Sequence, residues 1–309
     1  LGDNADFFEL GGGSGAFAET ALRGFAEHGV LPRHYLILEP SADLQQRQQQ
    51  RLHDNLPAQL MARVRWLQRP PEQDWHGVLF ANEVIDALPA TRFTVHEGEV
   101  FEEHISMDAE QSLRRDDRPA DPLTSAAVRH IERQLGTPFA EGYRSEVLPQ
   151  LPYWIQAIAG SLQRGAMLFI DYGYPRREYY HPQRDDGTLI AHYRHHAHAD
   201  AMHLPGLQDL SASVDFTALA EAGQHAGFEL ARFLSQANFL LAAGLDQAFA
   251  RAYAQAPDEA TRYGLAQQVK HLTLPGQMGD RFQAMLLTHD LPEQALNPAV
   301  LAANQAQRL

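Results

Sequence analysis

The sequence predicts a doubly wound α/β fold, a mostly parallel sheet with helices on both faces, an antiparallel strand near the C-terminus and inserted hairpin and helical segments. Three observations carry this. Continuous apolar runs closed by polar or acidic residues recur along the chain, as in His34-Tyr35-Leu36-Ile37-Leu38-Glu39 and Gly77-Val78-Leu79-Phe80-Ala81-Asn82; such runs mark strands buried on both faces. Segments with three- and four-residue apolar spacing alternate with them. The first apolar pair, Phe7-Phe8, passes straight into Glu9-Leu10-Gly11-Gly12-Gly13-Ser14-Gly15, a glycine turn between a strand and a helix.

That turn organises the rest. After it Phe17, Ala18, Ala21, Leu22 and Phe25 recur at helical intervals, so the glycines stand at a helix N-terminus. There the backbone can approach a ligand closely and its free N–H groups face the crevice. The site is of nucleotide type. Gly11, Gly13 and Ala16 fit the dinucleotide pattern G-x-G-x-x-A, so an NAD-dependent oxidoreductase is one reading. The glycines also read G-x-G-x-G, and Glu9 stands two residues before the first of them. A carboxylate at that strand end suits the amino group of a methionine moiety better than a pyrophosphate, which favours S-adenosylmethionine. No Lys-Ser or Lys-Thr follows Gly15, which excludes a P-loop.

Composition narrows the function classes. The 309 residues are 44% hydrophobic and 21% charged, with a formal net charge of -14 and no cysteine. The acidic balance argues against a surface that tracks nucleic-acid phosphates and suits a basic partner. Disulfides, thiolate metal sites and cysteine nucleophiles are excluded. No apolar run has membrane-spanning length and no secretory signal opens the sequence, so no membrane association is expected. The first residue is Leu1, and a processed or longer chain is the expectation.

The second strand, closed by Glu39 some two dozen residues after the turn, places a carboxylate where a ribose-binding acid belongs. Ser41 caps a helix through Leu56, whose Gln48-Gln49-Gln50 run reads as its solvated face. Val64-Arg65-Trp66-Leu67 reads as the third strand. The strand from Gly77 ends in Asn82-Glu83, followed by Asp86 and Pro89, and this loop faces the same crevice as the glycine turn. Thr91 to Ser106 alternate around Glu97-Gly98-Glu99 as a hairpin. Met107 to Pro122 reads as loop, and Glu146 to Leu162 as one apolar helical face. Gly165 to Tyr172 is another buried strand. A long Tyr-, His- and Arg-rich stretch to about Ser213 reads as a functional loop. A helix from Asp215 to Gly227, a strand from Phe228 to Phe233, helical segments from Gln236 to about His271 and a last strand from Arg281 to Thr288 complete the pattern. The expected organisation is a single domain over residues 1–309, with insertions at 91–145 and 173–213.

At Ala81-Asn82-Glu83-Val84-Ile85-Asp86-Ala87-Leu88-Pro89 the sequence resembles the MidA-like family, relatives of the mitochondrial complex I assembly-factor protein arginine methyltransferase. Leu168-Phe169-Ile170-Asp171-Tyr172-Gly173 resembles the family's later strand. Gly187-Thr188-Leu189, His192-Tyr193-Arg194-His195, Gly206-Leu207-Gln208-Asp209-Leu210 and Val214-Asp215-Phe216 resemble its long loop. Pro275-Gly276-Gln277-Met278-Gly279 resembles its C-terminal turn. The resemblance implies a Rossmann-like class I methyltransferase fold, S-adenosylmethionine as cofactor and methylation of protein arginine. It implies the cytoplasm for a bacterial protein and the mitochondrial matrix for a eukaryotic one. The family carries an N-terminal segment before the glycine turn, and its absence here is an expectation from the start of this sequence almost at the turn.

A guanidinium must be held against the sulfonium methyl, and carboxylates do this through paired N–H bonds in a planar fork. Glu83 and Asp86 are the candidate catalytic pair. Glu9, Gly11, Gly13, Gly15, Glu39 and Asn82 are the candidate cofactor ligands. Tyr172 and Tyr193 are candidate pocket residues. His192, His195, His196, His198 and His203 invite a metal reading, but no H-E-x-x-H is present and the spacing is poor, so no metal is expected. An assembly module that binds cofactor without turnover shares the same residues.

Overall fold

The computed structural model describes every residue except Leu1, Asp3 and His195. The chain divides into two compact units, one formed by Leu1–Val84, Tyr153–Tyr172 and Ala220–Arg308, the other by Ile85–Pro152, Gly173–Leu219 and Leu309. The first begins with β1 (Asp6–Leu10), α1 (Ala16–Glu27), β2 (Tyr35–Leu38), α2 (Ala42–Asn55), α3 (Ala58–Met61), β3 (Val64–Leu67) and β4 (Trp75–Asn82). The second contributes β5 (Thr91–His96), β6 (Glu99–Met107), β7 (Leu113–Pro119), α4 (Pro122–Leu135) and β8 (Arg144–Val147). The chain continues through α5 (Leu151–Ala159), β9 (Leu162–Tyr174), α6 (Arg176–Tyr179), β10 (Ile190–Tyr193), β11 (His196–His198), β12 (Asp209–Ser211), β13 (Val214–Asp215) and α7 (Phe216–His225). It closes with β14 (Glu229–Ser235), α8 (Gln236–Ala242), α9 (Leu245–Gln255), α10 (Glu259–Thr273), α11 (Met278–Arg281), β15 (Phe282–His289) and α12 (Pro298–Ala302).

In the first unit the strands lie in the order β14-β15-β9-β4-β1-β2-β3. The five from β9 to β3 are parallel, and β15 runs antiparallel to both β9 and β14. The apolar runs form these strands because both faces are covered: Phe8, Tyr35, Ile37, Leu79 and Met167 are fully buried. On one face Ala18 and Leu22 of α1 and Leu52 of α2 pack against Tyr35, Ile37 and Val64. The chain steps outward from β1 to β2 and β3, then returns to the other side of β1 as β4. The order therefore reverses at β1, and the crevice beyond the carboxyl ends of β1 and β4 is a topological switch point, where open α/β sheets bind ligands.

The second unit holds an antiparallel sheet in the order β7-β6-β5-β8 and a small sheet, β11-β10-β12. Its core is Phe93, Val128, Ile131, Tyr143, Tyr179 and Tyr180. The hairpin expected around Glu97-Gly98-Glu99 is β5 and β6, with His96 opposite Glu99.

Three expectations need correction. Residues Met107 to Pro122 are not all loop: Leu113–Pro119 form β7, an outer strand of mixed charge. Arg144 reaches it with paired bonds of 2.8 and 2.7 Å to Asp117, and holds Glu103 of β6 at 2.7 Å, so ion pairs replace the apolar signal. The helix expected from Glu146 begins only at Leu151. Glu146 is instead a buried strand residue whose carboxylate accepts hydrogen bonds from the N–H groups of Thr188 and Leu189, at 2.7 and 3.3 Å. The stretch after β9 is partly strand, in β10 to β13.

Candidate cofactor and active site

The glycine turn joins β1 to α1 with Gly11, Gly13 and Gly15 at φ values of 64°, 50° and 77°. These are left-handed conformations that cost other residues roughly 1–2 kcal/mol each. The Gly11 N–H donates to Leu38 of β2 at 3.0 Å, and the Gly15 N–H to Gly12 at 2.9 Å. A Cβ on Gly12 would press on Ile37 and Gln48 at 3.0 and 3.1 Å, one on Gly11 would press on Val84 at 3.0 Å, and one on Gly13 would meet no protein atom within 4 Å. The turn is thus packed from below and open at Gly13, the cradle a cofactor needs.

Beneath the turn, Glu9 is 3% exposed and accepts a hydrogen bond from the Tyr35 hydroxyl at 2.8 Å. Burial raises its carboxyl from the ordinary 4.5 to about 7; the Tyr35 bond opposes the rise and nearby Glu39 adds to it. The Tyr35 hydroxyl is itself pushed up by burial and by Glu9. Glu39, just past β2, is buried as well. One of its oxygens accepts the Ser41 N–H at 3.1 Å and the other accepts the Gln48 side-chain amide at 3.3 Å.

Gln48 is the residue the sequence reading misplaced. Far from lying on a solvated face, it is fully buried. It donates to the Gly13 carbonyl at 2.9 Å and accepts from the Trp66 indole at 3.0 Å. Its four-residue spacing from Leu44 and Leu52 puts it on the apolar face of α2, the signal that separates it from the exposed Gln49 and Gln50.

Asn82 and Glu83 close β4, the strand beside β1 in which Ala81 is paired with Leu10. Both are exposed, and the Asn82 amide donates to the Glu83 carboxylate at 3.1 Å. Glu83 has a φ of 51°, and its N–H is tied to Ile170 of β9 at 2.9 Å. A non-glycine residue held in this region at a strand end is the kind of strain that clusters at functional sites. Glu9, the glycines, Glu39, Asn82 and Glu83 therefore belong to one end of one sheet. Asp86 belongs to the second unit, where its carbonyl accepts the Ala212 N–H at 3.1 Å. Tyr172, at the end of the first unit's β9 segment, sets its ring edge-on to Phe282. Tyr193 lies on β10, its ring under the Arg194 guanidinium.

The histidines are spread out. His192 pairs across the sheet with Ala197, and His196 with Tyr193; the His198 and His203 rings lie 5.7 Å apart, and His195 lies outside the described residues. No group of three or more His, Cys, Asp or Glu among the described residues can hold a metal ion. Nor is any helix among them long and apolar enough to cross a membrane.

Residues 2–234 match the model of a protein family described as "Putative S-adenosyl-L-methionine-dependent methyltransferase". The chain belongs to this family. A Burkholderia thailandensis protein crystallised with S-adenosyl-homocysteine is 35% identical to this chain, superposes with a TM-score of 0.89, and is matched over 99% of this chain and 76% of its own. The rat protein arginine methyltransferase NDUFAF7, mitochondrial, is 30% identical over 72% of this chain and 47% of its own length. The bovine protein of that name is 28% identical over 96% and 68% respectively. The chain thus spans from about half to two thirds of the length of these curated relatives. The MidA-like resemblance, the Rossmann-like class I fold and S-adenosylmethionine as cofactor are borne out.

Proposed function

We propose that this methyltransferase methylates an arginine side chain on a protein partner, with Glu83 orienting the guanidinium. The observation that carries the reading is Glu83 itself, an exposed carboxylate in a left-handed conformation at the tip of β4, beside the open glycine turn. Gly11, Gly13 and Gly15 give the cofactor a close backbone approach, Glu39 accepts its ribose hydroxyls, Glu9 lies on the amino-group side, and Asn82 lies between cofactor and substrate. Bound S-adenosylmethionine supplies an electrophilic methyl group: a carbon–nitrogen bond forms as the carbon–sulfur bond breaks, and S-adenosylhomocysteine leaves.

The acceptor arrives as a guanidinium cation. Glu83 accepts two of its N–H bonds in a planar fork and localises positive charge on that side, which leaves the third nitrogen richer in electrons for attack. The proton lost from that nitrogen passes to solvent, since both Glu83 oxygens are engaged on the other two. Asp86, three residues further along the motif, is proposed as a secondary carboxylate. The chain's formal charge of -14 suits a basic partner, and the NDUFAF7 relatives carry protein arginine methylation in their name. Tritiated methyl transfer from S-adenosylmethionine to arginine-rich proteins, followed by amino-acid analysis, tests the reading. Label in methylarginine supports it; label confined to an uncharged small molecule overturns it.

A further inference from the structure

We infer that Gln48 is a positioning residue of the cofactor site, which locks the ribose acid Glu39 to the glycine turn in the geometry that ligand binding requires. The inference rests on the reading that Glu39 accepts the cofactor's ribose hydroxyls.

A buried glutamine amide has two faces, an oxygen that accepts and a nitrogen that donates, and the structure leaves Gln48 one choice. The Trp66 indole N–H can only donate, and it lies 3.0 Å from the amide oxygen. The amide nitrogen must then face the other way, where its two hydrogens meet two acceptors, the Gly13 carbonyl at 2.9 Å and Glu39 at 3.3 Å. One side chain therefore joins the first βα turn, the acid after the second strand and the third strand. It does so with no solvent access, where hydrogen bonds are not weakened by competition from water.

The consequence falls on Glu39. One oxygen is fixed by the Ser41 N–H and the other by Gln48, so the carboxylate plane cannot turn. Each oxygen keeps a second lone pair, and two parallel acceptors are what a ribose diol needs. The Gly13 carbonyl is held by the same amide, so the turn and the acid keep their spacing before the ligand arrives. The Cα of Gln48 also lies 3.3 Å from where a Cβ on Gly15 would stand, and the helix backbone is seated against the turn.

Calorimetry with S-adenosylhomocysteine tests this on wild type, Gln48→Met, Glu39→Gln and the double variant. Gln48→Met keeps length and removes both donors, and it should weaken binding roughly tenfold, the scale of a lost hydrogen bond to a charged group. If the residue acts through Glu39, the same change should cost much less on the Glu39→Gln background. Wild-type affinity in Gln48→Met, or an equal loss on both backgrounds, would overturn the inference. Unchanged affinity in Glu39→Gln would overturn the ribose reading beneath it and the inference with it. Should Gln48→Met fail to fold, Gln48→Asn shortens the side chain by one methylene and draws its donors back from Gly13 and Glu39; a several-fold loss is expected, and unchanged affinity would overturn the inference.

Discussion

Tyr35 donates its hydroxyl to the carboxyl of Glu9 across 2.8 Å of buried space, directly beneath the turn that the family's cofactor requires. Burial, against the opposing pull of this bond, makes Glu9 a titrating group near neutrality, with its carboxyl raised from 4.5 to about 7. A raised carboxyl favours the fold while protonated. That contribution is complete below pH 4.5 and is lost as pH rises through 7, by at most about 3 kcal/mol. Glu9→Gln, which stays neutral, should therefore be more stable than wild type at pH 8 and no more stable at pH 4.5. Thermal unfolding at the two pH values checks this, and an advantage that is the same at both would contradict it.

Gly13→Val should abolish S-adenosylhomocysteine binding while leaving the protein folded. A Cβ at Gly13 meets no protein atom within 4 Å, so the valine fits the free protein and fills the ligand's space instead. The left-handed φ of 50° adds a strain of about 1–2 kcal/mol. Calorimetry beside circular dichroism separates the two effects, and equal affinity in a folded variant would place the site elsewhere.

Glu146→Ala should destabilise the second unit by roughly 2–4 kcal/mol, the scale of two buried donors left unsatisfied. The carboxylate is 1% exposed, lies 3.6 Å from Arg92 and receives the Thr188 and Leu189 N–H groups. Removing it strands two backbone donors at once and takes one of the three carboxylates around Arg92, which keeps Glu103 and Asp186. Denaturant unfolding followed by Tyr fluorescence measures the loss, and a change below about 1 kcal/mol would contradict the assignment.

The histidine-rich segment should carry no structural metal. His192 and His196 lie on neighbouring strands and are not directly opposed. Elemental analysis of protein purified without a histidine tag should find no stoichiometric ion. An ion lost on replacing His192 and His196 together would overturn this.

The parallel sheet was legible because its strands are buried on both faces and their apolar runs are continuous; β1, β2, β4 and β9 all follow such runs. The candidate cofactor residues were legible for a related reason: a glycine turn and a strand-terminal carboxylate are fixed by backbone geometry. Gln48 was legible in part, because it shares a four-residue spacing with Leu44, Leu52 and Leu56 and so falls on the buried face of α2; its partners, the Gly13 carbonyl and the Trp66 indole, are set by the tertiary fold. β7 escaped because an outer strand can be held by ion pairs, and the Leu113–Pro119 sequence LRRDDRP carries no alternation of apolar residues. Glu146 was hidden in the same way. Its position before an apolar helix suggested a first turn, whereas its carboxylate is buried to receive a loop.

The most direct test of the account is the Glu83→Gln variant, assayed for methyl transfer to arginine-bearing protein beside calorimetry with S-adenosylhomocysteine. The substitution keeps size and shape but weakens the acceptor at the tip of β4. Cofactor affinity should stay near wild type while transfer falls by about 10²-fold or more, the scale associated with a positioned acid–base or electrostatic group. Asp86→Asn should act in the same direction, less severely. Transfer by Glu83→Gln at the wild-type rate, with the cofactor bound as before, would contradict the carboxylate clamp.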